Sequence, residues 1–344
     1  MKKPLLVLKI GTASITLPDG SLDENVIASV AEQVSLLHQQ YRIVIVSSGA
    51  VGTGKRFLKR YSGKLAERKA AAAIGNPLLI NTYSQYFAPH GIAIAQSLCE
   101  RQHFSQRNQF LQLRETFQTL WKNGIIPIAN ENDVVSNREL RFSDNDELAT
   151  LIAVGFDASA LLLGTSVPGV LDKEGQIIPR IEEFDESVMG MARKETSGPG
   201  LGGMTSKLTF ARLATRLGIK VVIFGVRTPQ GILAAVAEKS GTLCLPAPSS
   251  LSARNKWLAS GSLVTGRLVV DEGAKKAVEA RNSLLAVGVR AVIGSFSRGE
   301  VCEIVVGDQL PFAVARARFS SAEIQASGQA HNMEIAHADD IVLL

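Results

Sequence analysis

Short, almost unbroken aliphatic runs recur along this chain, and longer amphipathic stretches separate them. The runs are LLVLKIG (5–11), RIVIVSSGA (42–50), GIAIAQSLC (91–99), GIIPIANEND (124–133), ASALLLGT (158–165) and KVVIFG (220–225). A strand that is apolar on both faces must be covered on both faces, and strands of that kind alternating with helices define a parallel sheet between two helical layers. The intervening pattern is helical. From Asp23 to Gln39, Val26, Ile27, Val30, Val34 and Leu37 share one face, with Asp23 placed to cap the start. Further helices are expected over 67–88, 107–123, 145–155 and 204–217. The fold class is therefore α/β, a three-layer sandwich with a mainly parallel sheet.

At 344 residues the chain exceeds one ordinary core, so two domains are expected. The segment LPAPSSLSARNK (245–256) interrupts the pattern with proline and serine and reads as a linker. Beyond it the runs SLVTGRLVV (262–270), VRAVIGSF, GEVCEIVV, FAVARARF and DDIVLL, with a helix near 273–286, suggest a small β-rich module. The expected division is a first domain over 1–250, a linker over 251–261 and a second domain over 262–344.

Several function classes are disfavoured at this stage. No apolar run reaches the roughly 18–20 residues that span a bilayer. Lys9 breaks the opening apolar stretch too early for a leader, so a buried first strand in a cytoplasmic protein is the expectation. Cys99, Cys244 and Cys302 are far apart, which suits a reducing compartment and argues against disulfides or structural zinc. The histidines show no metal-binding spacing, so no protein-held metal is expected. The net charge of +5 is concentrated: residues 55–69 hold seven Lys/Arg against one Glu, while 262–344 hold eight against ten Asp/Glu. That acidic balance argues against nucleic-acid binding by the C-terminal module. The basic stretch suits either a solvated surface or the steering of anions and subunit contact.

Polar residues cluster just after the apolar runs, where loops at the carboxyl ends of parallel strands converge. Gly49–Lys55 nearly matches a phosphate-binding loop, but Arg56 stands where a hydroxyl should hold Mg²⁺, so it reads as a glycine-rich turn. The stronger candidate is Gly198-Pro199-Gly200-Leu201-Gly202-Gly203-Met204-Thr205-Ser206-Lys207, a glycine-rich loop opening into a helix. Such a helix start offers backbone N–H groups to an anion, with Lys207 in the first turn. Lys9, at the end of an apolar strand and followed by Ile10-Gly11-Thr12, is costly to bury unless it meets an anion. Asn130-Glu131-Asn132-Asp133 and Ser143-Asp144-Asn145-Asp146 supply carboxylates for an ammonium and amides for a carboxyl group, although Asp144 also suits a helix cap. Two lysines, a glycine loop and Mg²⁺ carried by phosphate oxygens would suffice for phosphoryl transfer.

These motifs, together with Ser48-Gly49-Ala50, Val270-Asp271-Glu272-Gly273-Ala274 and Ser295-Phe296-Ser297-Arg298-Gly299-Glu300, resemble those of the glutamate 5-kinase family. That family is a branch of the amino-acid kinases with a C-terminal PUA domain. The resemblance runs over nearly the whole chain. It implies ATP-dependent phosphorylation of the L-glutamate γ-carboxylate, the first step of proline biosynthesis, with ATP as co-substrate and Mg²⁺ on its phosphates. Lys9 and Lys207 would neutralise the moving phosphoryl group, Asp146 would hold both lysines, and Gly11 would offer a backbone N–H. Ser48, Asp133 and Asn145 would bind glutamate. Thr165, Ser166 and the run Leu201, Gly202, Gly203, Met204, Thr205, Ser206 and Lys207 would line the ATP site. Many members carry Asp at the position of Ser166 and Thr at that of Leu201, so the departures fall on the nucleotide side. The resemblance further implies a homo-oligomer, dimer or tetramer, and the next enzyme of proline synthesis as a partner. Competing expectations are a kinase for acetylglutamate or aspartate, and RNA binding through the PUA-like module.

Overall fold

In the first part of the chain everything is arranged around one strand, β1 (Leu5–Ile10), whose six residues are all buried. The computed structural model describes residues 3–135, 144–191, 203–247, 264–307, 311–327 and 333–343. The expected linker at 251–261 lies outside them. The chain divides into two compact units, residues 1–100 with 111–249, and residues 101–110 with 250–344.

In the first unit β1 pairs in parallel with β2 (Arg42–Ser47) on one side, from Leu5↔Arg42 to Ile10↔Ser47. β3 (Ile94–Cys99) and β4 (Ile126–Glu131) extend the sheet beyond β2. On its other side β1 pairs in parallel with β5 (Ala160–Thr165), from Leu6↔Ala160 to Ile10↔Gly164. With β6 (Arg180–Ile181), β7 (Lys220–Gly225) and β8 (Thr242–Cys244), the order is β3-β4-β2-β1-β5-β7-β8-β6. β7 and β8 pair antiparallel, and the other neighbours are parallel. The sheet is thus mainly parallel, as the aliphatic runs require.

Side chains alternate across a strand, which decides where Lys9 emerges. Leu6, Leu8 and Ile10 join one core cluster with Ile27, Val30 and Val34 of the 24–38 helix and Leu79, Tyr83 and Phe87 of the 65–87 helix. Lys9 therefore points to the opposite face, where the Asn145–Gly155 helix packs on β1. Asp146 to Gly155 are all buried, consistent with a helix of aliphatic residues held between the sheet and the Met204–Arg216 helix.

The glycines of the near phosphate loop serve packing. A Cβ on Gly54 would lie 1.9 Å from the Ala71 carbonyl oxygen, and one on Gly75 would lie 1.8 Å from that of Ala50. The 50–54 and 65–87 helices thus cross backbone to backbone.

In the second unit, β9 (Val264–Val270), β10 (Leu284–Leu285), β11 (Val289–Gly294), β12 (Val301–Val306), β13 (Ala313–Arg316), β14 (Glu334–Ala336) and β15 (Ile341–Leu343) form two sheets. Their orders are β11-β9-β12-β13-β15 and β10-β14. The helix expected over 273–286 is shorter, Glu272–Glu279. Arg281 turns left-handed at φ 65° and stops it, and Leu284–Leu285 leave to pair with β14. Among the described residues no helix is long and apolar enough to cross a membrane.

Candidate active site

Lys9 and Lys207 meet on a single carboxylate. Lys9 Nζ lies 2.7 Å from Asp146 Oδ1, and Lys207 Nζ lies 3.0 Å from Asp146 Oδ2. All three residues are buried, with Asp146 fully so. Each comes from a different element: Lys9 from β1, Asp146 from the first turn of the 145–155 helix, and Lys207 from the first turn of the 204–216 helix. Burial favours the neutral form of Asp146, but the charges of Lys9 and Lys207 outweigh it and hold this carboxyl below the usual range. Burial is also the main influence on Lys9; with help from the Lys207 charge it depresses the ammonium's pKa, against the pull of Asp146. The result is two close ammonium groups sharing one buried carboxylate. Gly11 follows Lys9 directly. A Cβ there would lie 3.6 Å from Lys9 Nζ, so its absence keeps the space beside the ammonium open.

Asp144 joins the two helix starts. Its Oδ1 accepts from the backbone N–H groups of Asp146 at 2.8 Å and Glu147 at 3.2 Å, and its Oδ2 accepts from the Ser206 hydroxyl. Burial and the neighbouring Asp146 charge raise its pKa. The 204–216 helix has Gly203 at its N-cap, so no side chain of the capping residue covers the positive end of its dipole.

A second polar group lies at the ends of β2 and β4. Asn145 Nδ2 donates to Ser48 Oγ at 2.8 Å and to Asn130 Oδ1 at 2.9 Å. Asn130 Nδ2 donates in turn to Asn76 Oδ1 at 3.1 Å. Ser48 and Asn145, far apart in sequence, are thereby brought into contact, while Asp133 sits half-buried two residues beyond β4. On the expected nucleotide side Thr165 ends β5 and Ser166 is exposed. Met204 is buried and Thr205 exposed, whereas Ser206 is committed to Asp144. Leu201 and Gly202 lie outside the described residues. Asn76 was not anticipated. Its signal is an amide on the buried stripe Ala72, Asn76, Leu79, Tyr83 of an otherwise apolar helix face.

Cys99, Cys244 and Cys302 are free and buried, and burial pushes each thiol up to about 12. They are inert packing residues.

A mainly parallel sheet in which one lysine from the central strand and one from a helix start meet on a buried aspartate frames a site for an anion. The chain belongs to the amino acid kinase family, whose model matches residues 4–225, and a PUA domain model matches residues 266–338. Its relatives include proteins named Glutamate 5-kinase. That of Gloeobacter violaceus is 39% identical, covering 96% of this chain and 93% of the relative. That of Trichlorobacter lovleyi is 34% identical over 98% and 96%. That of Streptococcus suis is 36% identical over the full length of both. Among solved structures, UMP kinase from Ureaplasma parvum aligns at a TM-score of 0.48 and 16% identity, covering 71% of this chain and all of that one.

Proposed function

We propose that this chain transfers the γ-phosphoryl group of ATP to the side-chain carboxylate of L-glutamate, forming L-glutamyl 5-phosphate at the start of proline biosynthesis in the cytoplasm. The observation that carries this reading is the Lys9–Asp146–Lys207 cluster, with Asn145 of the Ser48–Asn145 pair next to Asp146 in the chain. Phosphoryl transfer needs positioning and charge neutralisation more than covalent chemistry. Lys9 and Lys207 neutralise the moving group, and Asp146 keeps them together against their mutual repulsion. Gly11 leaves room beside Lys9 and offers its backbone N–H. The uncapped start of the 204–216 helix receives the nucleotide phosphates, with Thr165, Ser166 and residues 201–207 along the ATP site. Ser48, Asp133 and Asn145 bind glutamate.

The acceptor carboxylate, with an ordinary pKa near ~4.3, is already ionised at neutral pH, so the site requires no general base. Mg²⁺ would be carried by the ATP phosphates rather than by side chains and would add neutralisation there. The residues fit that arrangement: Asp146 is engaged by two lysines, and Asp144 by Ser206 and two backbone amides. Among the described residues no group of three or more His, Cys, Asp or Glu side chains is placed to cage a metal.

The test is acceptor choice. ADP release is followed with L-glutamate, N-acetylglutamate and L-aspartate at equal concentrations. Glutamate is expected to give the highest kcat/KM; a higher value for either rival would reassign the substrate.

A further inference from the structure

Three amides and a hydroxyl form one hydrogen-bonded line, Asn76–Asn130–Asn145–Ser48, and its polarity is fixed at a single point. The backbone N–H of Glu131 can only donate, and it donates to Asn130 Oδ1 at 2.9 Å. That oxygen is therefore an acceptor, and Asn145 must turn its Nδ2 toward it. The other hydrogen of the same Nδ2 goes to Ser48 Oγ. At the far side Asn130 is left to donate, and Asn76 meets it with an oxygen. Flipping any one of these amides would set donor against donor or acceptor against acceptor.

The consequence appears at the two ends. Asn145 Oδ1 and Asn76 Nδ2 are buried and have no hydrogen-bond partner among the described residues. Both hydrogens of the Asn145 amide are spent on protein, so the atom left for a ligand is its carbonyl oxygen. Such an oxygen attracts an ammonium and repels a carboxylate. Asn76 keeps an unpaired buried donor, which is destabilising, in a helix whose neighbouring buried positions are apolar. Stability alone would place an aliphatic residue there.

We propose that Asn76 is a specificity-determining positioning residue: by accepting from Asn130 it anchors the amide whose orientation the Glu131 N–H sets, so that Asn145 is held with its carbonyl oxygen toward the α-ammonium of the acceptor. The chain then favours an amino acid with a free ammonium over the same dicarboxylate without one. This rests on the glutamate reading above.

The experiment compares wild type, Asn76→Leu and Asn76→Asp with glutamate and with glutarate, which lacks the ammonium. Asn76→Leu is expected to raise the glutamate KM about 10-fold, while kcat and the ATP KM stay within about threefold. The preference for glutamate over glutarate should shrink by the same factor. Asn76→Asp, kept neutral by burial, retains an acceptor for Asn130 and should remain within about threefold of wild type. If Asn76→Leu does not fold, Asn76→Ala removes the acceptor without added bulk and carries the same expectation. Equal losses on glutamate and glutarate would overturn the proposal, as would an Asn76→Asp variant as impaired as Asn76→Leu, which would mean that Nδ2 touches substrate directly. Wild type inactive on glutamate would instead overturn the glutamate reading, and this inference with it.

Discussion

At the scale of single residues, phosphoryl transfer is expected to depend on the two ammonium groups held on Asp146. Lys9→Ala and Lys207→Ala are each expected to lower kcat by about 100-fold or more with little change in glutamate KM. Steady-state kinetics check this, and a loss confined to KM would mean that the lysines only bind substrate. The depressed pKa of Lys9 adds a pH dependence with two opposite signs. Lys9 must be charged to neutralise phosphate, so activity is lost as pH rises through its lowered folded-state value. Between that value and the ordinary 10.5 the unfolded chain holds a proton that the folded chain has released, so the contribution of Lys9 to stability rises with pH over the same window. The kcat/KM profile, which reports the free enzyme, should therefore show an alkaline limb with its midpoint below 10.5. A profile flat past that pH would contradict the burial of a charged Lys9. Lys9 was legible in the sequence because a cation in an apolar strand demands an anion. The polarity of the amide line was not, because it depends on hydrogen bonds among side chains up to 97 residues apart.

At the scale of elements, the crossing of the 50–54 and 65–87 helices fixes where Asn76 stands, since Gly75 is the residue before it. Gly75→Ala would push a methyl into the Ala50 carbonyl and is expected to cost about 1–3 kcal/mol or more. Urea unfolding measures that loss, and an unchanged midpoint would mean that the helices separate freely. The sheet strands and long helices were readable from periodicity, because burial on both faces leaves an unmistakable aliphatic run. The Asp23 cap was readable too: its side chain accepts from Val26 N–H at 3.3 Å. What escaped were short elements whose partners are distant. β14 is three residues that pair with β10, and the 321–326 helix is set by the Ser320–Glu323 capping box rather than by any apolar stripe. The near phosphate loop shows the converse, where Gly54, demanded by a helix crossing, completes an imitation of a nucleotide motif.

At the scale of the whole molecule, the family match over 4–225 and the PUA match over 266–338 lie on either side of the expected linker. Positive charge is concentrated in 55–69, whereas 262–344 is acidic on balance. In the proposed function the two lysines serve the phosphoryl transfer and the amide line serves the acceptor. The central claim is that the phosphoryl group lands on the glutamate side chain. The direct measurement is capture of the acyl phosphate with hydroxylamine, counting γ-glutamyl hydroxamate against ADP in the presence of ATP, Mg²⁺ and L-glutamate. One hydroxamate per ADP is predicted for wild type, with neither product from Lys9→Ala at a comparable rate. ADP formed with neither hydroxamate nor 5-oxoproline, the ring the acyl phosphate closes to when its own α-amine displaces phosphate, would contradict the account, because the phosphoryl group would then be passing to water.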